Sequence, residues 1–176
     1  MISICIPVYN FDIRPLLFSL LKQMEGDNDH IEIILIDDAS EESYRKGNRI
    51  SNKAVKYIQL EKNIGRSAIR NLFLKYAKND YLLFLDCDSL MVSDNFVHNY
   101  HEIIEKHDPE VVCGGRVYPS EYPGRKKRLR WKYGILRESK DANQRNKNPY
   151  RSFMTNNFVI EKSLFEETRF DERIAE

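Results

Sequence analysis

A chain of 176 residues, 41% hydrophobic and 11% aromatic, can bury one sizeable core and is too short for two ordinary domains. Its 28 basic and 27 acidic residues leave a formal net charge of +1, which excludes a global field for nucleic acid and leaves any basic partner site to a local cluster. The three cysteines, Cys5, Cys87 and Cys113, lie far apart in apolar stretches without the spacing of a zinc or redox pair, and read as buried free thiols.

Met1 leads directly into Ile2 to Val8, a short run rich in β-branched residues that Pro7, Tyr9 and Asn10 punctuate, which predicts a buried strand running into a loop. Asp12 is placed to cap a helix whose apolar positions Leu16, Leu17, Leu20, Leu21 and Met24 recur at helical spacing. A second strand is predicted from Ile31 to Ile36, closed by Asp37-Asp38-Ala39-Ser40, where a side chain can cap the polar helix that follows. Val55 to Leu60 reads as a third strand, and Asn63-Ile64-Gly65 turns it into a helix from about Arg66 to Ala77 with Ile69, Leu72, Phe73 and Tyr76 on one face. Tyr81 to Leu85 is a fourth, fully apolar strand ending in Asp86-Cys87-Asp88. Continuous apolar strands alternating with amphipathic helices imply a mostly parallel sheet covered on both faces, an α/β/α sandwich.

Beyond this point the pattern is less regular. A helix is expected around Asn95 to Lys106 and a strand around Val111 to Val117, before Pro119, Pro123 and Gly124 interrupt it. The almost wholly polar stretch from Ser139 to Arg151 predicts a mobile loop, with order returning at Phe153 to Ile160. No apolar run nears the ~20 residues needed to span a bilayer, and the expectation is a single domain, 1–176, facing the cytoplasm.

Three predicted strands end in polar clusters: Pro7/Tyr9/Asn10, Asp37/Asp38 and Asp86/Asp88. Ligands of open parallel sheets sit outside the carboxyl ends of the strands, so these clusters should converge on one cleft. Taken singly, each also fits a purely local role, a helix cap for Asp38 or Ser40 and a turn for Asp86/Asp88. Two carboxylates one residue apart at a strand end can offer hard oxygen ligands to Mg2+ or Mn2+, ions that usually complete their shell with substrate phosphates and water.

The segments Ser3-Ile4-Cys5-Ile6-Pro7-Val8-Tyr9-Asn10, Glu32 to Ser40, Asn63-Ile64-Gly65-Arg66 with Arg70-Asn71, and Phe84-Leu85-Asp86-Cys87-Asp88 resemble, in order and spacing, family 2 glycosyltransferases of the Rossmann-like GT-A fold. The resemblance resumes at Asn156 to Ile160 and at Arg169-Phe170-Asp171-Glu172-Arg173. It implies transfer of a sugar from a nucleotide-diphosphate donor, expected to be a UDP-sugar, to a glycan or lipid-linked acceptor, with inversion and with Mn2+ or Mg2+ as cofactor. It further implies that Pro7 and Tyr9 line the base pocket, that Asp38, with Asp37 beside it, bonds the base, and that Arg66 and Arg70 supply basic contacts to the nucleotide. Asp86 corresponds to the ribose-contacting carboxylate and Asp88 to the metal ligand; Ser89 stands where many relatives have another acid.

In this scheme residues 1–118 form the nucleotide-binding half and 119–176 begin the acceptor-binding half. Inversion needs a carboxylate to deprotonate the acceptor hydroxyl. In relatives a Glu-Asp pair follows the Phe-Asp-Glu-Arg motif, and the base is therefore expected beyond Glu176, with Glu172 structural. Two further readings share parts of the layout. A sugar-nucleotide pyrophosphorylase would carry a glycine-rich loop after its first strand, and Val8 to Ile13 has no glycine; a non-catalytic receiver-like nucleotide module would carry its acidic pair after the first strand rather than the second. The run Arg125-Lys126-Lys127-Arg128-Leu129-Arg130, followed by Trp131-Lys132-Tyr133, has the make-up of a basic amphipathic helix and opens a peripheral contact of 125–133 with the inner membrane face.

Overall fold

The computed structural model of the chain describes residues 1–25, 30–151 and 153–174. Six strands form one sheet: β1 (Ile2–Val8), β2 (Ile31–Asp37), β3 (Val55–Gln59), β4 (Tyr81–Leu85), β5 (Val111–Cys113) and β6 (Asn157–Glu161). Their order is β3-β2-β1-β4-β6-β5, and β6 alone runs antiparallel to its neighbours β4 and β5. Because side chains alternate along a strand, β1 sends Ile2, Ile4, Ile6 and Val8 to one face with Ile33, Leu35 and Leu83, and Cys5 to the other with Ile34, Ile36, Leu82 and Phe84.

The first face is covered by α1 (Arg14–Gln23) through Leu16, Leu17 and Leu20, and by α4 (Phe96–His107) through Val97, Tyr100 and Ile104. Pro15, in the first turn of α1, costs no hydrogen bond there. The second face is covered by α3 (Arg66–Leu72) and α7 (Lys162–Thr168) through Ile69 and Phe165. Its centre is Phe84, stacked on Phe158 with ring centroids 5.0 Å apart and meeting Phe73, Phe165 and Phe170 edge-on. The mostly parallel α/β/α sandwich expected from the sequence is therefore present, with Cys5 buried and Cys87 and Cys113 half-buried as free thiols.

Several local expectations need correction. The helix that follows β2, α2 (Glu42–Asn48), has no side-chain cap: Asp37 accepts from the Ser40 amide at 2.7 Å, and the Asp38 carboxylate reaches residues near α3. Asp12 likewise accepts from the Arg14 amide at 3.1 Å but does not cap α1, whose flanking residue is Ile13. The predicted helix to Ala77 ends as an α-helix at Leu72 and tightens into a 3-10 turn over Phe73–Lys75. The strand predicted to Val117 stops at Cys113, because its partner β6 begins at Asn157 and, among the described residues, accepts only one further backbone bond, from the Gly114 amide at 2.9 Å.

The segment 139–151, read from composition as a loop, carries a helical turn, α6 (Ala142–Asn146), and a 3-10 turn, Pro149–Arg151. Asp141 caps α6 by accepting from the Gln144 amide at 2.8 Å, a local signal that polar composition masks. Before it, a 3-10 turn (Arg125–Lys127) leads into α5 (Arg128–Tyr133) and a π-turn, Gly134–Glu138.

Candidate active site

Parallel pairing brings the carboxyl ends of β1, β2 and β4 to one rim. Val8 is level with Asp37 across β1 and β2, and the Asp38 amide donates to Val8 O at 2.8 Å. The β1–β4 register, Cys5 opposite Phe84, carried on two residues, sets Pro7 beside Asp86. The Tyr9 backbone lies against the Cys87 thiol, which burial pushes up to about 11. The strand order reverses direction between β1 and β4, the crevice where open α/β sheets take ligands. Antiparallel β6 brings its first residues to the same rim, where the Asp86 amide donates to Asn156 O at 3.1 Å.

Pro7 is partly covered at the end of β1, and the Tyr9 side chain is 54% exposed over the rim. Asn10 adopts the left-handed conformation, φ 48°, and ties the first two strand ends together: its amide donates to Ser40 Oγ at 2.8 Å and its Oδ1 accepts from the Glu41 amide at 2.8 Å. Ala39, with φ 64°, is a second non-glycine residue in that region. Such conformations cost of order 1 kcal/mol or more and persist where surrounding contacts enforce them.

Asp37 is fully buried. One oxygen accepts from the Ser40 amide and lies 3.6 Å from Arg45 Nε, and the other accepts from the Tyr57 hydroxyl at 2.9 Å. Burial, then Asp37 itself, pushes the Tyr57 hydroxyl far above its ordinary range. Asp38 accepts from the amides of Ile64 at 2.7 Å and Gly65 at 3.1 Å, fixing the loop that opens α3. Gly65 has φ 84°, a conformation that favours glycine. Burial raises the Asp38 carboxyl above its ordinary value, opposed by those two amides.

At the end of β4, Asp86 forms an ion pair with Arg70 at 2.8 Å, and Arg70 is 7% exposed with its guanidinium 5.6 Å from the centre of the Phe170 ring. Of the two arginines, Arg70 therefore points inward and Arg66 is exposed, although its charge still reaches Asp86. Burial raises the Asp86 carboxyl, Arg70 opposes this, and the neighbouring Asp88 charge adds to it. Asp88 is exposed and makes no hydrogen bond or ion pair with a described residue. No group of three or more His, Cys, Asp or Glu is arranged around a metal among the described residues. Asp88 with the free oxygen of Asp86 fits a hard cation only when a phosphate ligand completes the shell, the ordinary situation for Mg2+.

Three rim residues carry no sequence signal strong enough to assign them a role. Asn156 holds the Asp86 amide, while Asn157 Oδ1 accepts from the Tyr100 hydroxyl at 2.7 Å and its Nδ2 donates to Gly115 O at 3.2 Å. Arg116, just past β5, lies near enough for its charge to favour ionised Asp86. Its hydrogen bonds among the described residues are long, 3.4 Å each, to the Tyr118 hydroxyl and Glu138, and its guanidinium lies 5.9 Å from the Tyr118 ring centre, while Arg130 holds Glu138 at 2.6 and 3.0 Å. No motif marks Arg116; its position past a short strand parallel to β4 is the only signal. Glu172 Oε1 accepts from Asn71 Nδ2 at 2.8 Å, and Asn71 also exchanges bonds with Phe170, so Asn71 fastens the segment from Phe170 onto α3. Glu176 lies outside the described residues.

The profile described as "Glycosyl transferase family 2" matches residues 3–169. A relative from Haemophilus influenzae named "Uncharacterized glycosyltransferase" is 34% identical over 110 residues, covering 61% of this chain and 44% of its own. The crystal structure of Staphylococcus aureus TarS 1-349 in complex with UDP superposes with a TM-score of 0.67 at 20% identity, over 99% of this chain and 51% of that one. The mannosyltransferase PcManGT from Pyrobaculum calidifontis, in complex with GDP-Man and Mn2+, does so with a TM-score of 0.68 at 14% identity, over 97% and 47%. The chain thus spans about half the length of these solved structures and less than half of that curated relative.

Proposed function

The chain belongs to glycosyl transferase family 2 and has the GT-A fold, and from that premise we propose that its rim binds a nucleotide-diphosphate sugar, with UDP as the nucleotide, for transfer to a glycan or lipid-linked acceptor. The observation that supports this reading best is the contrast at the end of β4: Asp86 braced by Arg70, and Asp88 beside it exposed and without a protein partner among the described residues. A bare carboxylate next to a braced one suits a diphosphate that arrives with its cation.

In this reading Pro7 and Tyr9 line the base pocket, and Tyr9 offers an aromatic face that reaches into solvent. Asp38, with Asp37 behind it, holds the loop of Ile64 and Gly65 against the base and keeps lone pairs for a base N–H. Asp86 accepts from a ribose hydroxyl. Arg70 orients Asp86, while Arg66 and Arg116 add positive charge that reaches it. Asp88 and the free oxygen of Asp86 would hold Mn2+ or Mg2+, which acts as a Lewis acid on the departing diphosphate.

Transfer with inversion forms a bond from the acceptor oxygen to the anomeric carbon as the bond to the diphosphate breaks, and the hydroxyl proton goes to a carboxylate. Glu172 is not assigned that proton, since its Oε1 already accepts from Asn71. The test is equilibrium binding of UDP, GDP, CDP and ADP with Mn2+ present. UDP is expected to bind at least about tenfold more tightly than the others, as loss of one or two base hydrogen bonds implies. Equal affinity for all four would show that Asp38 reads no base.

A further inference from the structure

The basic segment singled out in the sequence takes no part in the rim, and its two sides differ. One side of α5 and the π-turn is anchored. Trp131 Nε1 donates to Pro119 O at 2.7 Å and its ring meets Tyr122 edge-on, Arg130 is bound to Glu138, and the Tyr118 ring lies where a Cβ on Gly134 would stand. The other side is exposed, apart from Arg130, whose guanidinium lies 6.0 Å from the centre of the Tyr133 ring. Leu129, Tyr133 and Leu136, at i, i+4 and i+7, are 84%, 56% and 67% exposed, and no residue of α5 is buried.

Around that stripe stand Arg125, Lys126, Lys127, Arg128, Lys132 and Arg137, all exposed. Glu138, the acid that contacts this segment, is already engaged by Arg130, Arg116 and Tyr118. Charge decides among occupants. A second copy related by a two-fold axis would set two such cationic rims against each other, and a nucleic acid would leave the two leucines in water. A surface with anionic headgroups above an apolar layer matches both the cations and the stripe.

We propose that this face docks on an anionic lipid surface, with Leu129, Tyr133 and Leu136 entering the headgroup boundary and the flanking cations lying over lipid phosphates. The helix is too short to span, and no helix among the described residues is long and apolar enough to cross a membrane. The docking is therefore peripheral, independent of the nucleotide rim, and held jointly by charge and apolar contact.

The test is co-sedimentation of the protein with phosphatidylcholine vesicles, with and without about 30 mol% phosphatidylglycerol, at about 0.1 M and about 0.5 M salt. Binding at least about tenfold stronger to the anionic vesicles, and weakened by the higher salt, is expected. Leu129→Ser combined with Leu136→Ser should lower it by about tenfold or more, and Lys126→Ser with Lys132→Ser should lower it on anionic vesicles. Trp131 fluorescence reports that the variants keep the fold, and their UDP affinity should be unchanged. Three outcomes overturn the proposal: no vesicle binding, binding that ignores the leucine changes, or concentration-dependent self-association that the leucine changes abolish in a protein that does not bind vesicles.

Discussion

Two aspartates close β2 and two close the turn after β4, and their surroundings differ. At the end of β2 every carboxylate oxygen of Asp37 and Asp38 accepts from the protein: the Ser40 amide and Tyr57 hydroxyl for one residue, the Ile64 and Gly65 amides for the other. After β4 a single oxygen of Asp86 is taken, by Arg70, and Asp88 has no partner among the described residues. The difference comes from what arrives beside each strand end. β3 brings Tyr57, α2 brings Arg45 and the loop before α3 brings its amides to the β2 end, while the β4 end faces the crevice between β1 and β4. A pair of acids in sequence is thus fully engaged by the protein in one place and largely open in the other, decided by long-range neighbours.

The sharpest way to break this comparison is Asp37→Ala. It leaves the Arg45 guanidinium facing a lost partner in a largely desolvated place, and unfolding in denaturant should show a loss of about 3 kcal/mol. Asp38→Ala comes next, because it orphans two amides, and it should lower stability by about 1 to 3 kcal/mol and weaken UDP binding as well. If it lowers stability alone, Asp38 belongs wholly to the scaffold. Lost UDP affinity with normal stability would instead free it from the loop.

A smaller effect is expected outside the rim, where Arg130, then Tyr118 and Arg116, hold the Glu138 carboxyl down at about 2 from an ordinary 4.5. The fold binds the ionised form more tightly, so this contribution is complete above about pH 4.5 and disappears as the pH falls towards about 2. Trp131 is the only tryptophan and sits in this corner, so its fluorescence should change in that window, and Glu138→Gln should remove the change. Smallest of all is Ala39→Gly. Relief of a left-handed alanine, offset by the looser unfolded chain, should raise stability by up to about 1 kcal/mol, as thermal unfolding would show.

The parallel strands and both layers were legible in the sequence because β1, β2 and β4 are apolar almost throughout and end in polar clusters, a pattern that surface helices and half-exposed strands do not produce. The convergence of those ends followed from topology alone. What could not be read was which acid is engaged, since the partners of Asp38 lie 26 and 27 residues away and Asn156 and Arg116 reach the rim through β6 and β5. Composition also missed the helical turn within 139–151, which the Asp141 cap and the Arg145 bonds to Lys140 O and Cys113 O accompany.

The central claim is that Asp88 is kept free for a ligand and contributes nothing to the fold. Calorimetry of UDP binding to the wild type and Asp88→Asn, each with Mn2+ and with chelator, tests it most directly, with thermal unfolding of both as the control. The expected result is that chelator weakens the wild type by about tenfold or more, that Asp88→Asn in Mn2+ resembles the chelated wild type, and that stability changes by no more than about 0.5 kcal/mol. Equal affinity in all four conditions, or a variant that unfolds much earlier, would contradict it.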